Sequence, residues 1–130
     1  MDQSLGKNYK LCNKEQIDSI FEEGNSQKQF PLVARYKELS LKDDVPFQIV
    51  IAAPKRTFKS AFQRNRIKRI CREVVRKNKG LLESWLVERN RQLGIFLLYT
   101  GKEEMSSEKL NKKTQDLFSK IIDDLERNHA

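Results

Sequence analysis

The chain has 130 residues, 38% hydrophobic and 34% charged, with 26 Lys and Arg against 18 Asp and Glu and a net charge of +8 at pH 7. That length suits one domain with a modest core, and seven Phe argue against a disordered chain. No apolar run approaches the ~20 residues of a membrane span, and the single histidine, His129, stands beside the C-terminus, which all but removes a His-dependent triad or a His-ligated metal from the fold.

Residues 1–12 are polar and lack the apolar segment of a signal peptide. They read as a flexible lead-in, with Leu5, Tyr9 and Leu11 as anchors, before a single domain over 13–127. Asn13, with Gln16 three residues on, predicts a helix N-cap. Ile17, Ile20 and Phe21 would share one face of that helix, and Gly24 would stop it. Phe30 to Leu41 alternates as a strand, with Phe30, Leu32, Ala34 and Tyr36 on one parity and Val33, Arg35 and Lys37 on the other. Lys42-Asp43-Asp44 signals a turn. Phe47 to Ala53 is a second strand, stopped by Pro54, and the short gap predicts an antiparallel hairpin between the two.

The stretch Pro54–Lys79 follows, and the charge of the chain is concentrated there. It holds 11 of the 26 basic residues and one acid, Glu73, so the rest of the chain carries 15 basic against 17 acidic residues. Charge this localised is a footprint for a polyanion. The stretch also has helical periodicity. Ile67, Ile70, Cys71, Val74 and Val75 fall on one face, while Arg64, Lys68, Arg72 and Arg76 follow at i+4 steps beside Asn65 and Arg69. Ser60 to Gln63 has capping-box spacing. A solvated polar face is the ordinary explanation for such a stripe. A nearly single-signed one repels itself at i+4, which favours nucleic-acid contact.

The basic helix is expected to end near Gly80, with a further helical piece over 81–91 and Trp85 as a core plug. Gly94 to Thr100 is a near-continuous apolar run, the mark of a central strand buried on both faces. Ser107 or its neighbour caps a last helix bearing Leu110, Leu117, Phe118, Ile121 and Leu125. A helix between strands joins parallel neighbours, so the helices would pack on one face of a small mixed sheet. Cys12 and Cys71 lack metal or disulfide spacing, and Cys71 reads as a small core residue. The adjacent pairs Asp43-Asp44 and Asp123-Asp124 do not form a two-metal arrangement; they read as a turn and as solvated helix surface. No catalytic residue and no metal ligand is expected.

Arg64-Asn65-Arg66-Ile67-Lys68-Arg69, followed by Arg72-Glu73, resembles the RNR signature of the bacterial ribonuclease P protein component. Phe21 with Gly24 resembles the family's Phe-x-x-Gly, and Phe47 to Arg56 its strand leading into paired basic residues, here Lys55-Arg56. The likeness covers about residues 13–125. It departs at Pro54, Phe58 and Lys59, where many members have Ser before the basic pair and Gly after it, and at Ile17, where the family has an aromatic residue. The resemblance implies an α/β two-layer sandwich of the ribosomal S5 domain 2-like type, in the order α-β-β(-β)-α-β-α, with a small mixed sheet and a left-handed βαβ crossover. The general rule would give a right-handed one.

The unpaired cysteines and the lack of a signal segment make a reduced cytoplasmic setting the default, and the resemblance further implies a protein monomeric in a 1:1 ribonucleoprotein with the catalytic RNA. It would bind precursor tRNA and assist endonucleolytic removal of the 5′ leader. The hydrolysis would belong to the RNA, and the holoenzyme would need Mg2+. The RNA-binding residues are then Lys55, Arg56, Lys59, Arg64, Asn65, Arg66, Lys68, Arg69, Arg72 and Arg76, and the leader-cleft candidates Ile17, Phe21 and Tyr36. The competing reading is a non-catalytic ribosome-associated or regulatory nucleic-acid-binding protein. Against base-reading in a DNA groove, the helix offers long cations and few amides beyond Asn65 and Asn78.

Overall fold

The computed structural model describes residues 9–41 and 44–128. In chain order the elements are α1 (Lys14–Glu23), β1 (Asn25–Gln29), β2 (Leu32–Glu38), β3 (Phe47–Ala52), α2 (Ala61–Glu88), β4 (Leu93–Tyr99) and α3 (Ser107–Asn128). The expected anchor Leu5, the Lys42-Asp43 part of the turn, and His129 lie outside the described residues.

The sheet order is β1-β2-β4-β3. β1 and β2 form the antiparallel hairpin across the Phe30-Pro31 turn, with Asn25 opposite Tyr36 and Gln29 opposite Leu32. β4 runs antiparallel to β2 and parallel to β3. The predicted hairpin between the strand at 30–41 and the strand at 47–53 therefore does not form. β4 lies between them, because the most apolar strand takes the central place, where both edges and most of its side chains are covered. β1 is absent from the hydrophobic pattern because Asn-Ser-Gln-Lys-Gln is polar on both parities. Its ladder with β2 and its contacts with α3 hold it: Asn25 donates to Asp124 and Lys120 to the carbonyl of Lys28. Phe30 is not in a strand but at the turn, largely exposed.

α1 starts and stops where the sequence predicts. The Asn13 side chain accepts from the Gln16 amide at 3.0 Å, and the Gly24 N–H reaches the carbonyl of Ile20 at 2.9 Å. Gly24 is extended rather than left-handed. A Cβ there would sit 2.3 Å from the Ile20 oxygen and 2.8 Å from that of Tyr36, so close approach excludes a side chain.

α2 is one continuous 28-residue helix running through Gly80, not two pieces. Gly80 is exposed, and its ~1 kcal/mol helix penalty is outweighed by burial of Leu82, Trp85 and Leu86 beyond it. Ser60 caps its start through the Gln63 amide, and Ser106 caps α3 through that of Lys109.

The core lies between one sheet face and α2 with α3. Leu32, Ala34 and Tyr36, then Leu93, Ile95, Leu97 and Tyr99, then Phe47 and Ile49 meet Ile67, Cys71, Val74, Leu82, Leu117 and Ile121. Ile70 packs at the margin of this cluster, partly buried. The helices are not all on one face. α1 contacts β2 and β4 from the opposite side, where Phe21 meets Phe96 at 4.6 Å between ring centroids. β4 is accordingly sealed on its core face, while Phe96 and Leu98 on the other are half-buried. Tyr9–Leu11 is tied down along the free edge of β3: Lys10 bridges to Ile49, Leu11 is buried, and Tyr9 stacks near Phe47 at 5.2 Å.

Candidate nucleic-acid interface

The loop after β3 explains how the basic pair is presented. Phe58 donates its amide to the Pro54 carbonyl at 2.9 Å and is buried against Tyr99, with ring centroids 5.9 Å apart. Phe58, one of the residues that depart from the family pattern, is thus a core plug. It turns the chain so that Lys55, Arg56 and Lys59 all face solvent.

Along α2, helical spacing sorts the candidate RNA-binding side chains by direction. Asn65, Arg69 and Arg72 are fully outward and exposed. Lys68 is half-buried and, with Arg72, lines a small hollow beside Tyr9, Lys10 and Val50. Arg64 turns back, and its Nη1 donates to the carbonyls of Phe58 at 2.8 Å and Lys59 at 3.0 Å. It therefore shapes the loop that carries the basic pair.

Arg66 and Arg76 are matched by acids. Arg66 makes a two-pronged contact with Glu104, at 2.7 and 2.5 Å, and lies 5.5 Å from the exposed ring of Phe62. Hydrogen bonding to Arg66 holds the Glu104 carboxyl below its ordinary range and raises the guanidinium above its own. Arg76 likewise forks onto Glu73, whose carboxyl is lowered chiefly by that hydrogen bond. Lys79 is buried, over the Tyr9 ring at 4.7 Å and 3.8 Å from Glu83, so this cation is structural. Among the described residues, Lys55, Arg56, Lys59, Arg64, Lys68, Arg69 and Arg72 form no ion pair with an acid.

The second candidate surface is the cleft between α1 and the open sheet face. Ile17 is half-buried and Phe21, one turn further along α1, is 45% exposed. Tyr36 is not in this cleft. It is 1% exposed on the core face, where its hydroxyl donates to Asp124 on α3. Burial first, and then that carboxylate, push its phenol far above the usual tyrosine range. The β2 residues on the cleft side are Val33, Arg35 and Lys37, of opposite parity to Tyr36; the alternation held this signal. Asp124 is correspondingly not mere solvated surface, because it ties α3 to β1 and β2, whereas Asp123 is exposed.

Cys71 is fully buried, its thiol pushed up to about 12 by desolvation, and is inert core as the pattern suggested. Trp85 is buried as well, its indole N–H on Glu126 at 2.9 Å. Among the described residues no group of three or more His, Cys, Asp or Glu comes together as a metal site, and no helix is long and apolar enough to cross a membrane.

A family model described as Ribonuclease P matches residues 5–122, a span holding the cleft, the basic loop and the whole of α2. The chain belongs to the ribonuclease P protein family. A ribonuclease P protein component from Porphyromonas gingivalis is 34% identical over 99 residues, covering 76% of this chain and 72% of the relative. The fold agrees with solved ribonuclease P proteins. That of Thermotoga maritima matches with a TM-score of 0.69 at 21% identity, over 85% of this chain and 96% of the other. That of Staphylococcus aureus matches with a TM-score of 0.63 at 18% identity, over 85% and 93%. As a ribonuclease P protein component, the chain is a subunit in tRNA 5′-end processing and has an RNA partner in a ribonucleoprotein.

Proposed function

We propose that the outward cations of α2 and the preceding loop bind the catalytic RNA of ribonuclease P, and that the α1 cleft takes the 5′ leader of precursor tRNA. One observation carries this reading: seven cations on contiguous elements, most of them exposed, have no acidic partner among the described residues. Gathering like charge costs free energy within the fold. An RNA backbone recovers it, because each neutralised phosphate releases counterions. Arg69 and Arg72 can present guanidinium forks to phosphate oxygens, while Arg64 holds the loop that aims Lys55, Arg56 and Lys59. In the cleft, the exposed side of Phe21 offers a stacking surface for an unpaired base, with Ile17 lining the wall beside it.

The hydrolysis is placed on the RNA subunit. Among the described residues no three His, Cys, Asp or Glu side chains come together to hold a metal ion by themselves; the Mg2+ requirement is assigned to the RNA and no step is routed through the protein. The working complex is one protein per catalytic RNA, in the cytoplasm.

The test is reconstitution with a bacterial ribonuclease P RNA on precursor tRNA at low Mg2+. Cleavage is expected only with the RNA present and is expected to improve when the protein is added. Arg69→Ala with Arg72→Ala should weaken assembly and lower the salt dependence by about 0.9 log–log unit per lost phosphate contact. Cleavage by the protein alone in a nuclease-free preparation would overturn the assignment. An unchanged slope in the double variant would move the RNA to another face.

A further inference from the structure

We propose that Arg35 is a positioning residue of the leader cleft, acting as a C-terminal cap supplied to α1 from a neighbouring strand. α1 is only ten residues long and has no basic residue in its last turn, and Ile20 is its one buried side chain. A helix this short is marginal without tertiary support, and its last carbonyls carry partial negative charge with no partner inside the helix. Arg35, on the cleft side of β2, provides that partner. Its Nη2 donates to the carbonyl of Phe21 at 2.6 Å and to that of Gly24 at 3.4 Å. The same guanidinium carbon lies 5.9 Å from the centroid of the Phe21 ring. Lys37, two residues along on the same side, reinforces the arrangement through Ser19 at 2.6 Å and Glu23 at 3.4 Å. β2 therefore laces α1 to the sheet with two cations, and the first grips the backbone of the residue whose ring walls the cleft.

The Arg35 Nε is buried with no hydrogen-bond partner among the described residues. A buried unpaired donor is costly, and an apolar side chain of the same length would avoid that cost. What offsets it is the hold on the two carbonyls and on the ring. The consequence for recognition is that Phe21 presents its free side in one place, so a stacked base of the leader meets a preset surface. This inference rests on the assignment of the cleft to the leader. It adds that Arg35 acts through Phe21 and does not itself contact RNA.

The experiment uses the reconstituted holoenzyme and compares affinity for precursor tRNA carrying a 5′ leader with affinity for leaderless mature tRNA. The variants are Arg35→Met, the gentler Arg35→Gln, Phe21→Ala, and each Arg35 variant combined with Phe21→Ala. Arg35→Met should reduce the leader preference about fivefold, the low end of one lost base stack. Arg35→Gln should reduce it in the same direction, and it carries the test should the Met variant melt early. The combined variants should be no worse than Phe21→Ala alone, because both changes remove one contact. If Phe21→Ala lowers the preference and neither Arg35 variant does, Arg35 is not a positioning residue. Multiplicative losses in the combined variants would make Arg35 an independent RNA contact and also overturn the inference. An intact preference in Phe21→Ala would remove the cleft assignment itself, and the inference with it.

Discussion

Tyr36 and Arg35 are neighbours on β2, yet they belong to different parts of the protein. Tyr36 faces α2 and α3, is sealed from water, and spends its one polar group on Asp124. Arg35 faces α1 on the other side of the sheet and places its charge against backbone carbonyls. On the first face, burial and close packing set the energy. On the second, a lightly anchored helix is held by polar contacts, and aromatic surface is left uncovered. The same strand thus builds the core with one parity and supports α1 with the other.

The sharpest way to break this comparison is to cut each face in turn. Leu97→Ala, on the core face of the central strand, should cost about 2–5 kcal/mol in chemical denaturation, with RNA affinity lost only in proportion to the unfolded fraction. Phe21→Ala, across the sheet, should cost less, about 1–2 kcal/mol of stability, from its contact with Phe96 and its half-buried surface. It should take ~1–3 kcal/mol from binding of leadered precursor tRNA. A Phe21 variant that collapsed the melting temperature would return that ring to the core.

Smaller changes sharpen the same contrast. Tyr36→Phe removes two hydrogen bonds on the closed face, to Asp124 and from Gln27, and should cost about 1–3 kcal/mol, leaving the preference for leadered over leaderless tRNA unchanged in a binding assay. Gly80→Ala should raise stability by roughly 0.5–1 kcal/mol in thermal unfolding, since a Cβ there meets nothing within 4 Å.

The closed face also gives a pH signature. Burial raises the Cys71 thiol from its ordinary 9.0 to about 12. The unfolded chain therefore releases that proton first, and stability should fall as pH climbs through that interval. At pH 8, a thiol reagent should label exposed Cys12 promptly and Cys71 only on unfolding. Equal labelling rates would show that the core around α2 opens freely.

Local physics made much of this protein legible in the sequence. Capping residues and apolar periodicity located α1 and the starts of α2 and α3 to within a turn, because those signals lie within a few positions of one another. The charge footprint of α2 and its apolar stripe were legible for the same reason, and with them the family resemblance. What tertiary structure alone decided involves partners distant in the chain. β4 displaced β3 from β2, because a strand's neighbours depend on which strand most needs covering. β1 formed without an apolar pattern, because its ladder and α3 supply what its side chains do not. Gly80 passed silently through a helix whose stability comes from residues beyond it. The cleft changed owner from Tyr36 to Arg35, since alternation separates the two parities without saying which one meets the core. Finally, Glu104 and Glu73 removed Arg66 and Arg76 from the set of unpaired cations. Glu73 sits within reach in the sequence, but Glu104 is 38 residues from Arg66 and reaches it only because β4 and the loop before α3 return to the start of α2.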